Sequence, residues 1–68
     1  MNGVMVKRKM KNMSQQQLAD AVGVSQSTVA MWETGKRIPR GKMLKLLANS
    51  LGCTIDELFA GDGKGVSK

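Results

Sequence analysis

Gly23-Val24-Ser25 and Gly52-Cys53-Thr54, each between two apolar-patterned stretches of this chain, set a glycine two residues ahead of a hydroxyl side chain. A glycine can take the left-handed conformation that ends a helix without Cβ strain, and a following Ser or Thr can cap the next helix. Each site therefore joins two helices with almost no linker. Ser14-Gln15-Gln16-Gln17 adds a capping box, in which a glutamine three residues after the hydroxyl returns its hydrogen bond. Helix starts are thus predicted at Ser14, Ser25 and Thr54, with stops at Gly23, Thr34-Gly35 and Gly52. Pro39 forbids any continuation of the third helix, placed at about Gln26 to Glu33.

Apolar residues fall on the matching stripes. Leu18, Ala21 and Val22 line the second helix, Val29 and Trp32 the third, Met43, Leu44, Leu47 and Leu51 the fourth, and Ile55, Leu58 and Phe59 a short fifth. Asp56 and Glu57 occupy the first turn of the fifth, where the helix dipole favours anions. A first helix from about Gly3 to Lys11 buries either Val6, Met10 and Met13 or Val4 and Met5; the pattern leaves both open. With 3% aromatic residues and few β-branched runs, the expected fold is all-α. It is a compact bundle of about five short helices around a central helix-turn-helix. The folded unit is read as residues 3–60, followed by a flexible glycine-rich tail, 61–68.

Composition removes several classes of function. There is no histidine and one cysteine, Cys53, so neither a Ser-His-Asp or Cys-His site nor a His/Cys zinc cluster can be built. The few carboxylates are accounted for by caps and pairing, and neither an enzyme nor a cofactor is expected. Cys53 reads as a buried structural thiol in a reducing cytoplasm. The opening MNGVMVKRK meets a charge at its seventh residue, too early for a signal peptide or a membrane span. Eleven Lys and Arg against five Asp and Glu give +6, which points to a polyanionic partner.

The placement of those cations narrows the partner. From Ser14 to Glu33 there is no Lys or Arg, while the stretch holds Gln15, Gln16, Gln17, Gln26, Ser27 and Thr28, neutral donor/acceptor groups suited to base edges. Lys7, Arg8, Lys9 and Lys11 precede it, and Lys36, Arg37, Arg40, Lys42 and Lys45 follow. Cations that hold phosphates around neutral groups that specify sequence are the division of labour expected for double-stranded DNA. The backbone N–H groups that open the fourth helix add an anion site behind the basic loop.

Nearly the whole chain resembles the lambda/Cro-type repressors, the xenobiotic-response-element (XRE) family of helix-turn-helix regulators. The resemblance rests on Ser14-Gln15 with Leu18-Ala19, Gly23-Val24-Ser25, Val29, Trp32-Glu33-Thr34-Gly35-Lys36 with Pro39, Leu51-Gly52 and Asp56-Glu57-Leu58, in order and at the family spacing. It implies that Gln15 contacts a phosphate and braces Gln26, which reads an adenine, with Ser27 the next reader and Thr28 and Met31 along the same face, Thr28 on either a thymine methyl or a phosphate. Phosphates then fall to Gln15, Ser25, Lys36, Arg37, Arg40 and Lys42. The family also pairs Arg8 with Glu33. Physical reasoning reaches the same need, since an anion in the last turn of a helix faces the carbonyl end of the dipole. Lys7 departs from the family, which usually has an apolar residue there.

Plainer roles are assigned where the residues allow them. Gln16 reads as a solvated residue, Trp32 as core, and the methionines other than Met31 as gap-filling or start-related. One recognition helix reads only a few base pairs, so a homodimer on a roughly palindromic operator is expected, with Leu51, Leu58 and Phe59 at the contact. The alternatives are an antitoxin or restriction-controller protein with a protein partner such as a toxin or antirepressor, and a protein-interaction adaptor with no DNA role.

Overall fold

The computed structural model describes residues 2–59. Five helices follow one another: α1 Asn2–Met10, α2 Gln15–Val22, α3 Gln26–Thr34, α4 Gly41–Leu51 and α5 Ile55–Leu58, with no strand among the described residues. The all-α bundle read from the sequence is the architecture found. The expected tail, 61–68, lies outside the described residues.

Local capping chemistry sets the breaks. Ser14 Oγ accepts from the Gln17 backbone N–H at 3.0 Å and Gln17 Oε1 accepts from the Ser14 N–H at 2.8 Å. Thr54 and Glu57 repeat that exchange at the head of α5. α2 ends on Gly23, whose φ of 79° is the left-handed conformation that a Cβ would oppose. α1 has no glycine at its end and stops instead on Asn12, at φ 58°, the residue type that best tolerates this region after glycine.

All five helices feed one core. α2 supplies Leu18, Ala19 and Val22, α3 Val29 and Trp32, α4 Leu47, Ala48 and Leu51, while α1 and α5 give Val4 and Leu58. A fully buried Leu or Val contributes about 1.5 to 3 kcal/mol, so a core of this size depends on every member. Ala21 is exposed, and α2 turns Ala19 inward instead.

The ambiguity in α1 resolves on Val4, with Met5 half-buried and Val6 and Met10 exposed. Two long-range contacts choose that register. Gly3 lies so close to α5 that a Cβ there would overlap the carbonyl groups of Glu57 and Leu58. One turn on, Arg8 is the buried polar residue of the core. With Gly3, Val4 and Arg8 facing inward, Lys7 falls beside α5 and its ammonium meets the Glu57 carboxylate at 3.5 Å, which accounts for a cation where the family has an apolar residue.

Four expectations are corrected by the packing. Leu51 and Leu58 are 3% and 0% exposed inside the bundle, so neither is available to a second copy; Phe59 alone of that trio reaches the surface. Neighbouring helices already occupy the space beside them. Ile55 and Phe59 do not share a buried face with Leu58, and Met10 is largely exposed rather than gap-filling. Cys53 is half-buried at the edge of the core.

Candidate nucleic-acid interface

The geometry of α2 and α3 is fixed at the turn between them. The N–H groups of Gly23 and Val24 both donate to the Ala19 carbonyl, closing α2, and Ser25 then caps α3 by accepting from the Thr28 N–H at 3.3 Å. Val29 and Trp32 pin the inner face of α3. Helical periodicity then leaves Gln26 and Ser27 exposed and Thr28, Ala30 and Met31 half-buried at the rim. The Thr28 and Ser25 hydroxyls share a 3.0 Å hydrogen bond, so the side chain placed on phosphate from the sequence also holds the head of α3.

Four side chains make a continuous hydrogen-bonded line across three helices. Arg8 Nε donates to Glu33 Oε2 at 2.6 Å and Nη2 donates to Oε1 at 3.2 Å, with both side chains at least nine-tenths buried. Gln15 Nε2 donates to the same Oε1 at 3.0 Å, and Gln26 Nε2 donates to Gln15 Oε1 at 2.8 Å. The structure thus brings together the pairs Arg8–Glu33 and Gln15–Gln26. It also supplies the link between them, Gln15 to Glu33, which the sequence analysis missed. Glu33 sits in the last turn of α3 and Arg8 in the last turn of α1, so each helix terminus disfavours the first and favours the second. No buried side-chain nitrogen or oxygen among the described residues lacks a partner.

The cations divide differently from the simple flanking pattern. Of the four before α2, Arg8 is consumed inside and Lys7 pairs with Glu57. Lys11 lies against Gly52 at the C-terminal end of α4, a favourable place for a cation. Lys9 is exposed and has no ion pair with a described residue. Lys36, Arg37, Arg40 and Lys42 are all exposed, and none is ion-paired with a described residue. The backbone N–H groups of Lys36 and Arg37 donate to the Met31 carbonyl at 2.9 and 3.3 Å, anchoring the basic loop to the end of α3. Arg40 opens α4 without a side-chain cap, and the space around Gly41 is open. The first turn of α4 thus has no side-chain cap and is flanked by two exposed cations, an arrangement suited to an anion.

Outside this surface, Gln16 is exposed and donates to Asp20 at 2.8 Å. The backbone hydrogen bond from Thr54, followed by the Lys7 ammonium, holds the Glu57 carboxyl below its ordinary value. Burial pushes the Cys53 thiol up, the Glu57 carboxylate adds to the shift and Lys7 partly offsets it. Among the described residues no helix is long and apolar enough to cross a membrane, and no group of three acidic, Cys or His side chains is placed to hold a metal.

Residues 4–58 match the helix-turn-helix family. The chain is 40% identical over 52 residues to the HTH-type transcriptional activator BcrR of Enterococcus faecalis, a match covering 76% of this chain and 26% of that protein. It is 45% identical over 52 residues to the HTH-type transcriptional regulator AnsR of Bacillus subtilis (strain 168), covering 76% of this chain and 45% of the relative. A third relative from the same strain, the uncharacterized HTH-type transcriptional regulator YqaE, is 34% identical over 55 residues, covering 81% and 47%. The chain spans between a quarter and about half the length of these curated relatives.

Proposed function

The chain belongs to the helix-turn-helix family of Cro/C1 type, and on that premise we propose that it is a sequence-specific regulator of transcription that lays α3 in the major groove of duplex DNA. The observation that carries this reading is the exposed Gln26 amide at the first turn of α3, braced by Gln15 at 2.8 Å. A held amide can pair bidentately with adenine N6 and N7, and such a pair discriminates by about 1 to 3 kcal/mol. Ser27 reads the neighbouring base, and Thr28 and Met31 supply contacts along the rim. Gln15, Ser25, Lys36, Arg37, Arg40 and Lys42 hold phosphates, the last two beside the uncapped amides of α4.

The protein acts as a homodimer on a roughly palindromic operator, because two half-sites about 34 Å apart are needed to lift a few read base pairs to a selective site. Phe59, exposed at the end of α5, belongs to the contact. The regulatory sense is repression, which needs only occupancy of the operator; the likeness to a protein named as an activator favours the opposite sense, and a reporter with the selected site upstream of a promoter separates the two.

The test is selection of bound duplexes from a random library at moderate salt, with wild type, Gln26→Ala and Ser27→Ala. A palindromic site whose preference relaxes at a different position in each variant supports the reading. No enrichment by the wild type, with binding that vanishes at moderate salt, reduces the positive charge to generic attraction and refutes it.

A further inference from the structure

A glutamine amide is nearly symmetric in shape but not in chemistry. Turning it over exchanges an acceptor oxygen for a two-hydrogen donor, so a surface glutamine left to itself presents either order of groups. Base discrimination needs one order. In the duplex-reading function proposed above, on which this inference rests, Gln26 must present its oxygen to adenine N6 and its N–H to N7; the reversed amide meets donor with donor and acceptor with acceptor.

The line of hydrogen bonds leaves only one order. Arg8 has donors and no acceptor, and two of its N–H groups fall on the two Glu33 oxygens. Glu33 has acceptors only, and its side chain is 5% exposed. Whatever touches Glu33 Oε1 must therefore donate, which obliges Gln15 to turn its NH2 group inward. The Gln15 oxygen is then the atom facing Gln26, and Gln26 must donate to it. One Gln26 N–H is used in that bond. Its oxygen and remaining N–H are left as an edge of fixed order.

We infer that Glu33 is a positioning residue for base readout: through Gln15 it sets which way round the Gln26 amide faces a base. The ion pair that ties α1 to α3 is also the fixed end of a donor-acceptor sequence that terminates at the recognition surface. Fold and specificity share the same carboxylate.

The test compares wild type, Glu33→Gln and Gln15→Met by selection from a random duplex library, with thermal melting to establish folding. In Glu33→Gln the new amide keeps its oxygen on Arg8 Nε, the shorter of the two contacts, and turns its NH2 toward Gln15 with loss of the longer Nη2 bond, which reverses every later member of the line. In Gln15→Met the line is cut while Arg8 and Glu33 stay paired. Both variants should lose roughly tenfold of the preference at the base read by Gln26 and keep the preferences at other positions. Should Glu33→Gln fail to fold, Arg8→Met with Glu33→Met, which leaves no charge unpaired and keeps Gln15 and Gln26, takes its place and should show the same loss at that base. Folded variants that retain the wild-type preference at every position, or that weaken all positions alike, overturn the inference. A wild type that enriches no sequence instead overturns the duplex-reading function itself, so the two failures are distinct.

Discussion

The Arg8 guanidinium closes on the Glu33 carboxylate with Nε to Oε2 at 2.6 Å, while its Nη1 donates to the Met13 carbonyl at 2.7 Å, so one side chain ties the ends of α1 and α3 to the turn before α2. Removing either partner strands a buried charge, at a cost of about 3 to 5 kcal/mol. A core of this size yields about the same total. Arg8→Met is therefore expected to be largely unfolded, and Arg8→Met with Glu33→Met more stable than either single variant, because no charge is then left unpaired. Urea denaturation of the three proteins checks this; purely additive losses would contradict it.

Gly3→Ala sets two effects of opposite sign against each other. Alanine favours a helix interior by up to about 1 kcal/mol, but overpacking typically costs about 1 to 3 kcal/mol. The obstruction at Gly3 is the backbone of Glu57 and Leu58, which cannot swing aside as a flexible side chain does. Net destabilisation is expected, measured as a lower melting temperature; a rise would mean that α1 and α5 are less closely packed than described.

Glu57 links stability to acid. Its folded-state value lies below the ordinary 4.5, so the stability it contributes is present above that value and is lost as pH falls through the lower, folded one. Denaturation midpoints followed from neutral to about pH 3 should fall in wild type, and fall less steeply in Glu57→Gln, whose amide oxygen can still accept from Thr54 but has no charge to lose. Parallel curves would remove Glu57 from the acid response.

Salt reports on the phosphate contacts. For the proposed dimer, neutralising about 8 phosphates would give a slope of log affinity against log salt of about −7, and Arg40→Ala should make it shallower by about 1 for each proposed half-site. Lys7→Ala should leave the slope unchanged, since that ammonium is turned to Glu57. Equal effects from both substitutions would argue against the assignment of cations made here. Competition titrations at several salt concentrations provide the measurement.

How far these features are legible in the sequence depends on how local their causes are. Ser14, Ser25 and Thr54 could be read as caps because each bonds within its own first turn. The register of α1 could not, since Val4, Met5, Val6 and Met10 are all apolar and the choice is made by Gly3 against α5 and Arg8 against Glu33. Leu51 and Leu58 looked available for a partner because periodicity shows that a residue is apolar but not whether five short helices have enough other side chains to fill their centre. Gln15 and Gln26 were paired by resemblance, as were Arg8 and Glu33. The joining bond from Gln15 to Glu33 spans eighteen residues and emerges only when α2 and α3 are folded together. Asn12, whose residue type tolerates positive φ, was a local stop signal for α1 that the sequence reading did not use.

The contact of Gly3 with Glu57 and Leu58 places the first helix directly beside the last, so the bundle is closed like a ring although the chain is a line. Chain order and spatial order are then separable. A few glycines joining Asn2 to Phe59 would complete the circuit, and a new opening between Arg37 and Ile38, both exposed, would cut no helix. Such a permuted chain should reach the same helical fold, with the two ends now emerging from the basic loop.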